Sequence, residues 1–237
     1  MRFCSTWVLA ALLVSGFVFG TGAARANEAE VQSGDQGFLS PKTYVIGLDL
    51  SKSNPLVRDK GYAARAAART AKEISALPLK SRVMLRTFGS YDGSENGLKI
   101  DQVISSHARP DDVARGIATI IASVPKLVKE GKLQAQGKTN IVPFLDTMSQ
   151  VVNCDQSEVH VVLLTDGFED SEYAHLTRYG GKLPLPSQPD YKGCDELLIL
   201  GLGQGGGSPS ATKRLRASWQ AYAEAAGFQH FYGLYDW

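Results

Sequence analysis

Two clusters of oxygen-bearing side chains follow apolar runs. The first is Asp49-Leu50-Ser51-Lys52-Ser53, directly after the run from Tyr44. The second is Thr165-Asp166-Gly167, directly after Val159 to Leu164. An aspartate at the end of a buried strand is costly unless something compensates its charge. Asp49, Ser51 and Ser53 alternate along a short loop, so their oxygens can converge on one point. Thr139, in Gly137-Lys138-Thr139-Asn140, stands where a helix should start and can add a hydroxyl. Carboxylates, hydroxyls and water are hard oxygen ligands. They suit Mg²⁺, with Mn²⁺ or Ca²⁺ as alternatives. Few charged ligands leave coordination positions to water, one of which an incoming carboxylate can take.

These residues need a scaffold that brings two strand ends together. Tyr44 to Asp49 and Val159 to Leu164 are nearly continuous apolar runs, as strands buried on both faces are. Further strands are expected at 83–88, 99–105, 197–202 and 229–234. Helical spacing of apolar residues predicts helices over 58–77, over a segment capped by Asp111 and ended by Pro125, over 140–152 and over 210–226. Alternating strands and helices predict an open, doubly wound, mostly parallel α/β sheet with helices on both faces. Ligands of such sheets bind beyond the carboxyl ends of the strands, where strand order reverses.

Residues 1–26 read as a signal peptide: Arg2, the apolar run Val8 to Phe19, and Ala24 and Ala26 at the positions a peptidase reads. The apolar run is short for the alternative, an uncleaved anchor. Residues 27–41 read as a flexible leader and 42–237 as one domain. No later stretch reads as membrane-spanning. Export places the protein in a periplasm or outside the cell. Removing residues 1–26 leaves 23 basic against 24 acidic side chains. That balance argues against nucleic acid or an anionic membrane surface as partner. Two cysteines remain, Cys154 and Cys194. An even pair in an exported chain suggests a disulfide, against the alternative of two buried thiols.

The D-x-S-x-S loop at Asp49, Ser51 and Ser53, then Thr139, then T-D-G at Thr165 to Gly167 together resemble a von Willebrand factor A domain. They match its metal-ion-dependent adhesion site at all five positions, and the resemblance covers residues 42–237. It implies five parallel strands and one antiparallel edge strand. It implies that Asp49, Ser51, Ser53, Thr139 and Asp166 hold the metal, directly or through water. It also implies that a partner protein's Glu or Asp completes the coordination. In that fold the strands after Cys154 and Cys194 are parallel neighbours, which puts both cysteines at one edge of the sheet. Two departures stand out. The stretch from Asp49 to Thr139 is long, and a segment with Pro184, Pro186, Pro189 and tyrosines at 173, 179 and 191 partly replaces a helix after Asp166. That segment reads as either a surface loop or a partner-binding insertion.

The rival function is a Mg²⁺-dependent hydrolase of phosphate esters. It needs a nucleophile or base beside the metal, and the motif itself supplies none, so a non-enzymatic binding role is expected. Gly201, Gly203 and Gly206 copy a dinucleotide fingerprint, but only one strand follows, and a turn is expected. Asp92, Ser94 and Asn96 open like a calcium loop, yet Val103 stands where a bidentate Glu is required. His160 and His230 are expected to be packing residues, Trp219 and Tyr222 core, and Glu169 and Asp170 a solvated acidic rim.

Overall fold

The computed structural model describes residues 40–90, 97–177 and 180–237. The expected signal peptide, the expected leader up to residue 39, the Asp92 to Asn96 stretch and Tyr179 lie outside the described residues. Residues 40–237 belong to one compact unit. Its strands are β1 (Lys42–Asp49), β2 (Arg82–Phe88), β3 (Lys99–Val103), β4 (Glu158–Leu164), β5 (Glu196–Leu200) and β6 (His230–Leu234). They form one sheet in the order β3-β2-β1-β4-β5-β6. All pairings are parallel except β2 with β3, so β3 is an antiparallel edge. Strand order reverses between β1 and β4. Asp49 and Thr165-Asp166 therefore end up side by side beyond adjacent carboxyl ends.

The helices are α1 (Pro55–Arg58), α2 (Lys60–Ser75), α3 (Pro110–Lys129), α4 (Ile141–Ser149) and α5 (Pro209–Ala226). One face of the sheet presents Tyr44, Ile46, Leu48 and Val162 to α2 and α3. The other presents Val45, Met84, Val161 and Leu163 to α4 and α5. Gly47 lies on that second face. A Cβ there would meet Leu163 Cδ2 at 2.7 Å and Phe144 Cε1 at 2.9 Å, so the glycine is what lets α4 settle on β1. Trp219 and Tyr222 are buried on the inner side of α5.

The helix expected over 58–77 divides in two. Asp59 ends α1 and caps α2, its Oδ1 accepting from Gly61 N at 2.7 Å and Tyr62 N at 3.1 Å. Asp111 is not the cap of α3. Arg109 holds that position, and Asp111 lies in the first turn beside Pro110. Pro125 does not end α3 either, which runs on to Lys129. A mid-helix proline costs about 3 kcal/mol, but Val124 and Pro125 are both buried, and their packing outweighs it.

Among its described residues the segment after Asp166 has no helix, yet it is built into the core. Ala174, Leu176, Leu183 and Tyr191 are buried in it. Tyr191 donates its hydroxyl to Leu145 O at 2.6 Å and stacks on Phe228 at 4.3 Å, which ties the segment to α4 and to the end of α5. Cys154 and Cys194 are joined in a disulfide that closes this stretch of chain. Among the described residues, no helix is long and apolar enough to cross a membrane.

Candidate metal centre

Asp49 is the last residue of β1 and is fully buried. Its Oδ1 accepts from Ser51 N at 2.7 Å and its Oδ2 from Thr165 Oγ1 at 2.7 Å. The first bond curls the loop so that Ser51 and Ser53 turn the same way, their hydroxyl oxygens 3.3 Å apart. The second joins the two strand ends. Asn54 strengthens that junction: its Nδ2 donates to Asp49 O at 2.7 Å and to Leu164 O at 2.9 Å, while its Oδ1 accepts from Leu56 N at the start of α1.

The turn at Asp166 is held from three sides. Gly203 N donates to Asp166 O at 2.8 Å, Trp219 Nε1 to Gly167 O at 2.8 Å, and Phe168 N to Asp166 Oδ1 at 3.1 Å. Gly167 has φ +78°, and a Cβ there would lie 2.4 Å from Leu202. Only glycine suits that position. Gly203, from the Gly-rich stretch after β5, thus works as a turn that steadies Asp166.

Thr139 reaches the site from the loop before α4. It pairs with Asp170 through two backbone bonds, Thr139 N to Asp170 O at 3.2 Å and Asp170 N to Thr139 O at 2.9 Å. Gln136 anchors the same loop to the first cluster, with Lys52 N donating to Gln136 O and Gln136 N to Leu50 O. Ser51, Ser53 and Thr139 all line one hollow of about 310 Å³. Ser53 also borders an adjoining hollow of about 220 Å³, together with Asp166. Four of the five expected ligands thus line two adjoining hollows, and Asp49 lies beneath them, hydrogen-bonded to Ser51.

Burial raises the Asp49 carboxyl to about 6, against the hydrogen bonds from Thr165 and Ser51. Burial and the nearby Asp49 raise Asp166 to about 7. Among the described residues neither carboxylate has an ion-pair partner. Two buried carboxylates under hollows edged by hydroxyls form an all-oxygen donor set with no ion-pair partner among the described residues. That set fits a hard divalent cation.

Glu169 is not part of a solvated rim. It is fully buried, and its Oε2 accepts from Ile141 N at 2.7 Å and Val142 N at 3.2 Å at the start of α4. It serves where Asn140, the residue at the cap position, makes no side-chain capping bond. Asp170 does border the hollow, paired with Lys138 at 3.0 Å and with His175 Nδ1 at 2.7 Å. Sequence reasoning missed Asn54, Glu169 and the His175–Asp170 pair. Only Asn54 carried a local signal, as an Asn ahead of Pro55 is a helix-start pattern. Glu169 caps a helix 28 positions away, and nothing in its neighbourhood announces that. His160 and His230 are not packing residues either: His230 is exposed, and His160 meets carboxylates.

No protein-family model matches the chain, and no curated protein matches it. Solved structures do. One is an aerotolerance-related membrane protein from Bacteroides fragilis, 17% identical with a TM-score of 0.44, the match covering 81% of this chain and 91% of that one. Another is the conserved hypothetical protein BatB from Bacteroides thetaiotaomicron, 15% identical with a TM-score of 0.44, covering 83% and 91%.

Proposed function

We propose that the protein is an exported binding module that holds a divalent cation, Mg²⁺, with Asp49, Ser51, Ser53, Thr139 and Asp166, and takes an acidic residue of a partner protein onto it. The observation that carries this reading is the pair of buried carboxylates without an ion-pair partner among the described residues, placed under hollows edged by three hydroxyls. The bound cation would offer a coordination position to the partner's carboxylate. Lys52 and Arg58 border the two hollows and favour an approaching acid. Export rests on residues 1–26 and agrees with the disulfide.

The test has two readouts. Mg²⁺ at about 100 times its Kd should stabilise the native protein by about 2.7 kcal/mol, and the Asp49→Ala variant should show no such gain. Affinity capture should yield a partner in Mg²⁺ and lose it with a chelator or in Asp49→Ala. A Mg²⁺ response that persists in the variant, or capture that ignores both treatments, overturns the reading.

A second reading, Mg²⁺-dependent hydrolysis of phosphate esters, draws on one observation. His175 borders the hollow with its Nδ1 held by Asp170, the arrangement of a general base. Turnover of a generic phosphate ester that needs both Mg²⁺ and His175 would favour it over binding.

A further inference from the structure

The amino-terminal ends of β4 and β5 lie at the opposite edge of the sheet from the hollows. They carry a cluster that the binding reading leaves unused. Glu158 and His160 are two residues apart on β4 and so share a face. The β4–β5 register sets Glu196 opposite His160, and Asp195 directly precedes β5. Glu158 Oε1 lies 2.7 Å from His160 Nε2, while Glu196 Oε1 and Asp195 Oδ2 lie 3.0 and 3.3 Å from Nδ1. Ligand atoms of Glu158, His160 and Asp195 all fall within 4.8 Å of one another. Three carboxylates meet one imidazole and one lysine, Lys42, whose Nζ is 2.6 Å from Glu158 Oε1.

We propose that Glu158, His160 and Asp195 form a second cation site, selective for a divalent transition metal of the Zn²⁺ class. The donor chemistry separates it from the first site. One imidazole nitrogen with two carboxylates suits Zn²⁺, whereas the five side chains proposed for the first site offer oxygen alone. Ligand atoms about 2 Å from a shared ion stand roughly 3.3 Å apart, so binding would draw these side chains in from their 4.8 Å envelope. Glu158 lies at Nε2 and both Glu196 and Asp195 lie at Nδ1, so an ion bound at Nε2 needs the Asp195 carboxylate to turn away from Nδ1 while Glu196 holds Nδ1–H. Lys42 gives up its bond to Glu158 when the ion enters.

The backbone that carries these groups is fixed. Asp195 N donates to Val159 O at 3.0 Å, and His230 N to Asp195 O at 2.8 Å. The disulfide at Cys194 anchors the residue next to Asp195. The imidazole is 14% exposed and the Glu158 carboxylate 39%, so the ring is shielded while the entrance stays open. A simpler arrangement, a protonated His160 shared among the acids, uses the same contacts and needs no metal.

Calorimetric titration of the untagged protein with Zn²⁺ separates the two. Millimolar Mg²⁺ is kept present to occupy the oxygen site. The expected result is one equivalent bound, with affinity lowered at least tenfold in His160→Gln and in Glu158→Gln and unchanged in Asp49→Ala. Co²⁺ should give the visible absorption of a low-coordinate nitrogen–oxygen site, lost in the same two variants. Circular dichroism checks that each variant is folded. Glu158→Gln, at the more exposed position, carries the test if His160→Gln does not fold. No stoichiometric binding, or binding that both variants leave intact, overturns the proposal. Neither outcome bears on the Mg²⁺ reading, which the Asp49 variant reports.

Discussion

Glu169 is a carboxyl group with no solvent exposure, three residues beyond Asp166, whose ionised form is opposed by burial and favoured by the hydrogen bonds it receives. Burial wins, and the carboxyl titrates near 7. A carboxyl raised in the folded state contributes its stability fully below the unfolded value and loses it as pH rises through the folded value. The contribution therefore falls between about pH 4.5 and 7. Glu169→Gln keeps an acceptor for Ile141 N and Val142 N but cannot ionise. Its stability relative to the native protein should climb across that window, by at most about 3 kcal/mol, and level off above it. Urea unfolding of both proteins at pH 5, 6, 7 and 8 checks this, and a pH-independent difference would contradict it. At this scale the sequence was legible where contacts are local. Asp49, Ser51 and Ser53 lie within five positions, and one bond from Ser51 N fixes their convergence. Asn54 and Glu169 act on Leu164 and Ile141, distant in sequence, and only the fold reveals the pairing.

The elements were legible wherever periodicity was strong. β1 and β4, buried on both faces, and α5, with Trp219 and Tyr222 inward, lie where the apolar patterns put them. The errors arose where a local rule met a tertiary one. Pro125 breaks helices by rule, but α3 buries it. The run over 58–77 is helical in spacing, but Asp59 finds two backbone donors and divides it. The contact between α4 and β1 offers a sharper test of how the site is positioned. Gly47→Ala drives a methyl group against Leu163 and Phe144. Overpacking of this kind costs about 1–3 kcal/mol. Because α4 is pushed outward with Thr139 at its start, Mg²⁺ affinity should fall as well. Denaturant unfolding and Mg²⁺ titration of the variant measure the two effects, and a neutral substitution would show that α4 is loosely seated.

For the whole molecule, the disulfide closes a loop that contains β4, the Asp166 turn and the segment packed under Tyr191. The chain-entropy account assigns such a loop about 4 kcal/mol. Replacing both cysteines by serine should lower stability by a similar amount, and protease cleavage should then concentrate between residues 167 and 193. Retained stability in the double variant would show that packing alone holds the segment. The composition of that segment, rich in proline and tyrosine, gave no periodic signal, because its order comes from single anchors such as Tyr191 rather than from a repeating face. β4 itself runs from Glu158 to Leu164 and delivers Asp166 two residues later. At about 3.3 Å per residue that path separates Glu158 from Asp166 by roughly 25 Å, more than two screening lengths of about 10 Å at 0.1 M salt. Were both proposed sites filled, one strand would carry a dication at each end, far enough apart for solvent screening to leave only weak mutual repulsion, so the two affinities should be nearly independent.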